Sequence, residues 1–176
     1  AFLILLVSRI ASASLNLIHD CDETYNFWEP LHYLVNGVGL QTWEHSPTFG
    51  LRSYFYLSLH YAIAKPVSLL VQSLFAVDAA EVDQQIFRAA RIAPFYAVRL
   101  VLASASAFAD ASLASEISKL HPLAGSVTLA SLAWSAGCFV YSSSFLPSSF
   151  AGICITIALA YSLKGNCSIS CASCVA

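Results

Sequence analysis

A short polar segment, residues 19–48, holds most of the side chains in this sequence that could do chemistry. It contains five of the ten carboxylates, three of the five histidines and two of the three tryptophans. Three of the carboxylates, Asp20, Asp22 and Glu23, fall within four consecutive positions. Because like charges this close repel one another, keeping them together has a free-energy cost that a purely solvated loop would not need to bear. The spacing therefore indicates a functional site.

Aromatic side chains accompany these carboxylates. They are Tyr25, Phe27, Trp28, Tyr33 and Trp43. Such a surface suits both the interface of a lipid bilayer and stacking on sugar rings. An ordinary hydrated loop, with Thr24 as the N-cap of a short amphipathic helix, is one alternative. A second alternative is a divalent cation on oxygen ligands from the three clustered carboxylates together with His19. We assign no other cofactor and no specific metal ligand.

The whole chain has the composition of a membrane protein. Of its 176 residues, 58% are hydrophobic and only 10% are charged, and the mean hydropathy is +0.70. Soluble domains average about 25% charged residues. The formal net charge of −2 excludes the basic surface that a nucleic-acid-binding protein needs. Since the chain has no Met and starts inside an apolar run, we expect it to be a piece of a longer protein.

Apolar stretches alternate with polar ones in a pattern typical of a polytopic helix bundle. A helix needs about 20 mostly apolar residues to cross a bilayer, because its backbone groups must be satisfied internally. We therefore predict an all-α fold in which the polar segment forms an extramembrane loop with short amphipathic helices. The predicted spans lie near 1–18, 49–76, 88–112, 122–141 and 147–163. An atypical tail rich in Cys and Ser, 164–176, stands in place of further apolar helix.

Four short strings carry a resemblance to a known family. Residues 19–30 read HDCDETYNFWEP, 41–47 read QTWEHSP, 51–54 read LRSY and 144–150 read SFLPSSF. Together they resemble the dolichyl-phosphate-mannose-dependent α-1,2-mannosyltransferases of glycosyltransferase family 22, over about 1–161. Members of that family are several times longer. We therefore expect this chain to be an N-terminal part that is inactive alone.

The resemblance implies a fold, a location and two substrates. The fold would be part of a multispan bundle of the GT-C type in the endoplasmic-reticulum membrane, with the acidic loop in the lumen. The donor would be dolichyl phosphate mannose, and the acceptor would be the dolichyl-diphosphate oligosaccharide precursor of N-glycosylation. Membrane lipids would be the surrounding partners.

The resemblance also implies that a carboxylate of this loop acts as the catalytic base of an inverting transfer. We rank Asp22 first, Glu23 second and Asp20 third for that role. Arg52 would stabilise the leaving phosphate at the membrane surface, although an arginine that only snorkels to the interface is the alternative.

Four further residues are candidates for substrate binding. Trp28 and Trp43 could shape the sugar pocket, although anchoring at the bilayer interface is the favoured explanation for them. Glu44 and His45 are polar candidates without an assigned role.

Functions other than this transferase stay open at the level of sequence. One is a sister GT-C mannosyltransferase that acts on glycolipid anchors. The others are a non-catalytic transporter piece and an assembly fragment. Transport predicts ionisable residues along several spans, whereas half of the carboxylates here lie in one loop.

Overall fold

The computed structural model describes the backbone of residues 1–75 and 84–174, and the side chains of 1–74 and 91–165. Every regular element in those ranges is helical, which confirms the predicted all-α class. A π-helical turn, Thr24–Trp28, and a 3-10 turn, Trp43–His45, lie in the polar segment. The α-helices of the described ranges are α1 (Phe2–Leu15), α2 (Cys21–Glu23), α3 (Glu29–Asn36), α4 (Phe55–Phe75), α5 (Gln84–Leu120), α6 (Pro122–Trp134), α7 (Ala136–Tyr141) and α8 (Pro147–Cys174).

The chain divides into two compact units. The first comprises Ala1–Asn16 and Val101–Ala176, and the second comprises Leu17–Leu100. Helix α5 contributes to both. The polar segment, α4 and the start of α5 belong to the second unit, which therefore holds every candidate site residue.

Small side chains and one buried ion pair hold the first unit together. Leu5 of α1 packs against Ala107 and Ala111 of α5, with partly buried leucines of α6 beside them. Arg9 is fully buried, and its Nη2 donates to Asp110 Oδ2 at 2.9 Å and to the carbonyl oxygen of Leu132 at 3.0 Å. Small residues allow close helix contacts where there is no water to drive association. This unit is thus built like a membrane bundle.

Two helices of the described ranges are long and apolar enough to cross a membrane, Arg91–Leu120 and Pro147–Gly165. They overlap the ranges predicted as spans at 88–112 and 147–163, and α5 continues to Leu120. Helices α1 and α6 are apolar but, at 14 and 13 residues, shorter than the length of about 20 that a perpendicular span needs. Helix α4 begins at Phe55, not near 49. Five spans thus stay a prediction.

Two further predicted boundaries differ from the structure. The helix expected over 122–141 is interrupted at Ser135, which adopts an extended conformation and whose side chain accepts a hydrogen bond from the backbone N–H of Cys138. The serine caps the next helix and thereby ends the preceding one. A hydropathy pattern cannot predict such a break, because it does not depend on hydrogen bonds of single side chains. The tail expected to replace the helix is instead helical to Cys174. The side chains of 166–176, including the tail cysteines, lie outside the described residues.

Candidate functional site

Helix α2 starts the site, and Asp20 is its N-cap. The Asp20 Oδ1 accepts a hydrogen bond from the backbone N–H of Asp22 at 2.9 Å, which satisfies one of the amide groups that a helix N-terminus leaves unpaired. Thr24, the predicted cap, lies instead in the π turn that follows. The third-ranked carboxylate therefore has a structural role that occupies one of its oxygens.

The π turn buries three consecutive side chains. The backbone N–H of Glu29 donates to the carbonyl oxygen of Thr24, the i to i+5 pattern that widens a helical turn and that is frequent at functional sites. Asn26, Phe27 and Trp28 are all buried. Because a π turn holds more residues than an α-helical turn, successive side chains lie closer to one face of the helix. Here that face is buried.

Arg52 joins two of the predicted carboxylates. Its Nη2 donates to Asp22 Oδ1 at 2.8 Å, its Nε donates to Glu44 Oε2, and its backbone N–H donates to the Glu44 carbonyl oxygen at 3.2 Å. The guanidinium carbon also lies 5.1 Å from the centre of the Phe27 ring, within the range of a cation–π contact. The structure thus brings Asp22, Glu44 and Arg52 together, although 30 positions separate Asp22 from Arg52 in the sequence.

The Asp22 carboxylate has one oxygen engaged and one open. Its Oδ1 accepts from Arg52 and from Asn26 Nδ2, while its Oδ2 accepts no hydrogen bond from any described residue. About 40% of the Asp22 side chain is exposed, so a ligand can approach it. An ionised carboxylate is an acceptor with unused capacity at this oxygen.

Glu23 lies in quite different surroundings from its neighbour. It is only 4% exposed, and its Oε1 accepts a hydrogen bond from the indole N–H of Trp28 at 2.9 Å. Trp28 packs in turn on Phe95 with ring centres 4.5 Å apart. Burial keeps Glu23 away from an approaching substrate. The Glu23 carboxylate also gives the buried indole N–H of Trp28 a hydrogen-bond acceptor, which a buried tryptophan usually needs.

The two predicted tryptophans are not equivalent. Trp28 is buried, and it lines a cavity of about 150 Å³ inside the second unit together with Leu31, Val35 and Phe95. Trp43 is 60% exposed and contacts Phe49 edge-to-face at 5.3 Å. Only Trp43 presents its ring to the outside, as stacking on a sugar or anchoring at an interface requires.

Two polar residues in this site, Asn26 and Thr42, were missed by the sequence analysis, whereas their neighbour His45 was a candidate. Asn26, 8% exposed, receives a hydrogen bond at its Oδ1 from Thr42 Oγ1 at 2.5 Å and donates from its Nδ2 to Asp22. The buried ring of His45 places Nε2 3.2 Å from the Asn26 carbonyl oxygen. The spacing of four between Asp22 and Asn26, which brings side chains together on a helix, was the available signal.

The clustered carboxylates do not converge on one point. Asp20 caps a helix, Glu23 is bonded to Trp28, and Asp22 faces Arg52. Among the residues that the structure describes, no group of three His, Cys, Asp or Glu side chains is placed to hold a metal ion. The divalent-cation alternative thus gains no support from the geometry.

Comparison with known proteins extends over most of the chain. The chain is 42% identical over 164 residues to Alpha-1,2-mannosyltransferase alg9 of Schizosaccharomyces pombe, which covers 93% of this chain and 26% of that protein. It is 40% identical to Alpha-1,2-mannosyltransferase ALG9 of Arabidopsis thaliana (89% and 25%) and 41% identical to the Homo sapiens protein of that name (85% and 22%). The chain thus spans about a quarter of the length of these curated relatives. No solved structure matches it significantly.

The family model agrees with these relatives and with the resemblance seen in the sequence. The model for the Alg9-like mannosyltransferase family, glycosyltransferase family 22, matches residues 1–175. That range includes both compact units and every candidate residue of the polar segment. The chain therefore belongs to the Alg9-like mannosyltransferase family.

Proposed function

We propose that this chain supplies the catalytic base of an inverting α-1,2-mannosyltransferase. The reaction would move mannose from dolichyl phosphate mannose to the dolichyl-diphosphate oligosaccharide from which N-glycans are made. Family membership and the names of the relatives support the reaction class. The single observation that carries the residue assignment is the open Oδ2 of Asp22, on an exposed carboxylate whose other oxygen is held in place.

The proposed transfer reaction needs one base and one leaving group. The acceptor 2-hydroxyl oxygen forms a bond to the anomeric carbon of mannose while the bond from that carbon to the phosphate oxygen breaks. The hydroxyl proton passes to Asp22, and dolichyl phosphate leaves with the bonding electron pair. One displacement converts the β-linked donor into an α-linked product. The base must come within about 2.6–3.2 Å of the hydroxyl oxygen, and Oδ2 is the Asp22 atom with the capacity to do so.

Arg52 acts in this proposal on the carboxylate and not on the phosphate. Its described contacts go to Asp22 and Glu44, so two negative charges already face its single positive charge. A guanidinium held at both ends fixes the direction in which the Asp22 carboxylate points. We therefore assign Arg52 to orienting the base, with Glu44 holding Arg52 from the opposite side.

The membrane setting follows the same proposal. Helices Arg91–Leu120 and Pro147–Gly165 would lie in the endoplasmic-reticulum membrane, with the polar segment on the luminal side. Trp43, exposed beside Phe49, would then lie where lipid headgroups and the sugar of the donor meet. Both substrates are lipid-linked, so a site next to the bilayer surface can receive both.

A chimaera tests this function, because the chain covers about a quarter of its relatives. This chain replaces the matching segment of the Schizosaccharomyces pombe relative, and the product is expressed in a strain that lacks that protein. Microsomes are assayed for mannose transfer from dolichyl phosphate mannose to the lipid-linked oligosaccharide. We expect Asp22→Asn to lower the rate by about 100-fold or more at equal membrane abundance, the range for loss of a general base.

Asp20→Asn is the matched comparison two residues away. It removes the same charge, but asparagine caps helices as well as aspartate does, so we expect the rate to stay near that of the wild type. If Asp20→Asn or Glu23→Gln abolishes transfer while Asp22→Asn does not, the base assignment is wrong. If the unmutated chimaera is abundant but transfers no mannose, the proposed activity is wrong.

A further inference from the structure

A chain of hydrogen bonds runs behind Asp22, on the side away from its open oxygen. Thr42 Oγ1 donates to Asn26 Oδ1 at 2.5 Å, and Asn26 Nδ2 donates to Asp22 Oδ1. Asn26 is almost fully buried, so water does not compete for these contacts. Resting on the proposed function above, we propose that Asn26 is a positioning residue for the Asp22 carboxylate and that the Thr42 hydroxyl fixes the direction of the Asn26 amide.

The chemistry of the groups permits one orientation of the amide. An ionised carboxylate only accepts hydrogen bonds, so the NH₂ end of Asn26 must face Asp22 and the oxygen end must face Thr42. A hydroxyl can donate to that oxygen, which completes the chain. With the amide reversed, two acceptor oxygens would meet at Asp22 and repel each other. The Asp22 carboxylate thus selects the orientation of the amide, and the Thr42 hydroxyl, by donating to the amide oxygen, holds the amide in that orientation.

The backbone around Asn26 is held as firmly as its side chain. His45 Nε2 lies 3.2 Å from the Asn26 carbonyl oxygen; since a carbonyl only accepts, that ring nitrogen carries the proton. Three residues of one short stretch thus hold the site. Thr42 binds the side chain of Asn26, and His45 binds the backbone of Asn26. Glu44 binds Arg52. The stretch 42–45 positions Asp22 through these contacts, and its described residues make no hydrogen bond to Asp22 themselves.

The position of the open oxygen depends on both donors to Oδ1. Arg52 and Asn26 approach the same oxygen, and together they determine the rotation of the carboxylate about its bond to the chain. If Asn26 is lost or turned, only one of the two donors to Oδ1 remains, and Arg52 alone restricts that rotation less. Displacements of about 1 Å at reacting groups cost about 100-fold in rate, so a defect behind the base appears in kcat while the binding of either substrate is little changed.

Thr42 is the residue to test, because a near-isosteric change removes its hydroxyl and leaves Asn26 intact. In the chimaera, we expect Thr42→Val to lower kcat about tenfold, with KM for donor and acceptor changed less than twofold. Thr42→Ser keeps the hydroxyl and should retain at least half of the wild-type kcat. Thr48→Val makes the same change in the same segment, where the hydroxyl makes no hydrogen bond to a described side chain, and should leave kcat unchanged. Wild-type kcat in Thr42→Val, or a loss in Thr42→Ser equal to that in Thr42→Val, would overturn the proposal.

A second readout does not depend on activity. In this chain labelled with ¹⁵N-asparagine in detergent micelles, the Asn26 side-chain NH₂ signal is the one that disappears in Asn26→Asp. We expect that signal to shift in both Asp22→Asn and Thr42→Val, and to stay unchanged in Thr48→Val. A signal that does not respond refutes the hydrogen-bond chain. If the signal responds but the unmutated chimaera transfers no mannose, the positioning of Asp22 stands and the proposed transferase function fails.

Discussion

Asp22 and Glu23 are adjacent in the sequence but have different surroundings, and substitution should separate their roles. Glu23 is buried, accepts from Trp28 and acts electrostatically on Arg99. We expect Glu23→Leu to remove the carboxylate that the buried indole N–H donates to and to lower the stability by about 1–3 kcal/mol, whereas Asp22→Asn should lower activity and leave stability nearly unchanged. Thermal unfolding of the purified chain in detergent measures the first effect. Equal melting temperatures for Glu23→Leu and the wild type would contradict it.

The contacts of Arg52 depend on the shape of its side chain as well as its charge. Two different nitrogens, Nη2 and Nε, reach Asp22 and Glu44, and the single ammonium group of a lysine cannot reproduce that fork. We therefore expect Arg52→Lys in the chimaera to lower kcat at least tenfold even though the charge is kept. Lys119→Arg, the reverse exchange at an exposed residue of the first unit that pairs with Glu116, is the comparison and should leave kcat unchanged. Full activity of Arg52→Lys would show that charge alone is sufficient.

At the level of helices, contact between α5 and α6 depends on one glycine. A Cβ added at Gly125 would lie 2.5 Å from the Cα of Ser118, closer than side chains approach a backbone, whereas a Cβ at Gly152 of α8 would meet nothing within 4 Å. We expect Gly125→Ala to lower the melting temperature of the chain in detergent, because the helices must move apart. Gly152→Ala should leave it unchanged or raise it, since alanine favours a helix by about 0.5–1 kcal/mol over glycine. Equal effects of the two changes would contradict this packing.

The helices also show what the sequence could and could not predict. The apolar stretch after residue 147 indicated a helix there, and α8 covers it, because hydrophobicity is a local signal. The break at Ser135 depends on one side-chain hydrogen bond within an apolar run, which averaging over a window hides. In the site, the residue types predicted Asp22, Glu44 and Arg52 as candidates. The burial of Glu23 and the bond from Thr42 to Asn26 could not be predicted, because both depend on a fold that joins residues 16 positions apart.

For the whole molecule, the buried pair of Arg9 and Asp110 ties the beginning of the chain to the middle of α5 within the first unit. The pair joins residues 101 positions apart, and the Nε and Nη1 atoms of Arg9 have no hydrogen-bond partner among the described residues. The buried charge of Arg9 is thus compensated by the carboxylate of Asp110 and by the carbonyl oxygen of Leu132. Such a charge is expensive in an apolar bundle unless its partner is present.

Removal of one member of this pair should therefore cost more than removal of both. We expect Asp110→Leu to destabilise the chain by about 3–5 kcal/mol, because it leaves a buried guanidinium uncompensated, while the double variant Arg9→Leu with Asp110→Leu should cost less than either of its single changes. Melting temperatures of the single and double variants in one detergent give the comparison. Additive losses would mean that the two charges do not stabilise each other. A coupled result would instead mean that the buried charge of Arg9 helps to hold α1 against α5 in the first unit.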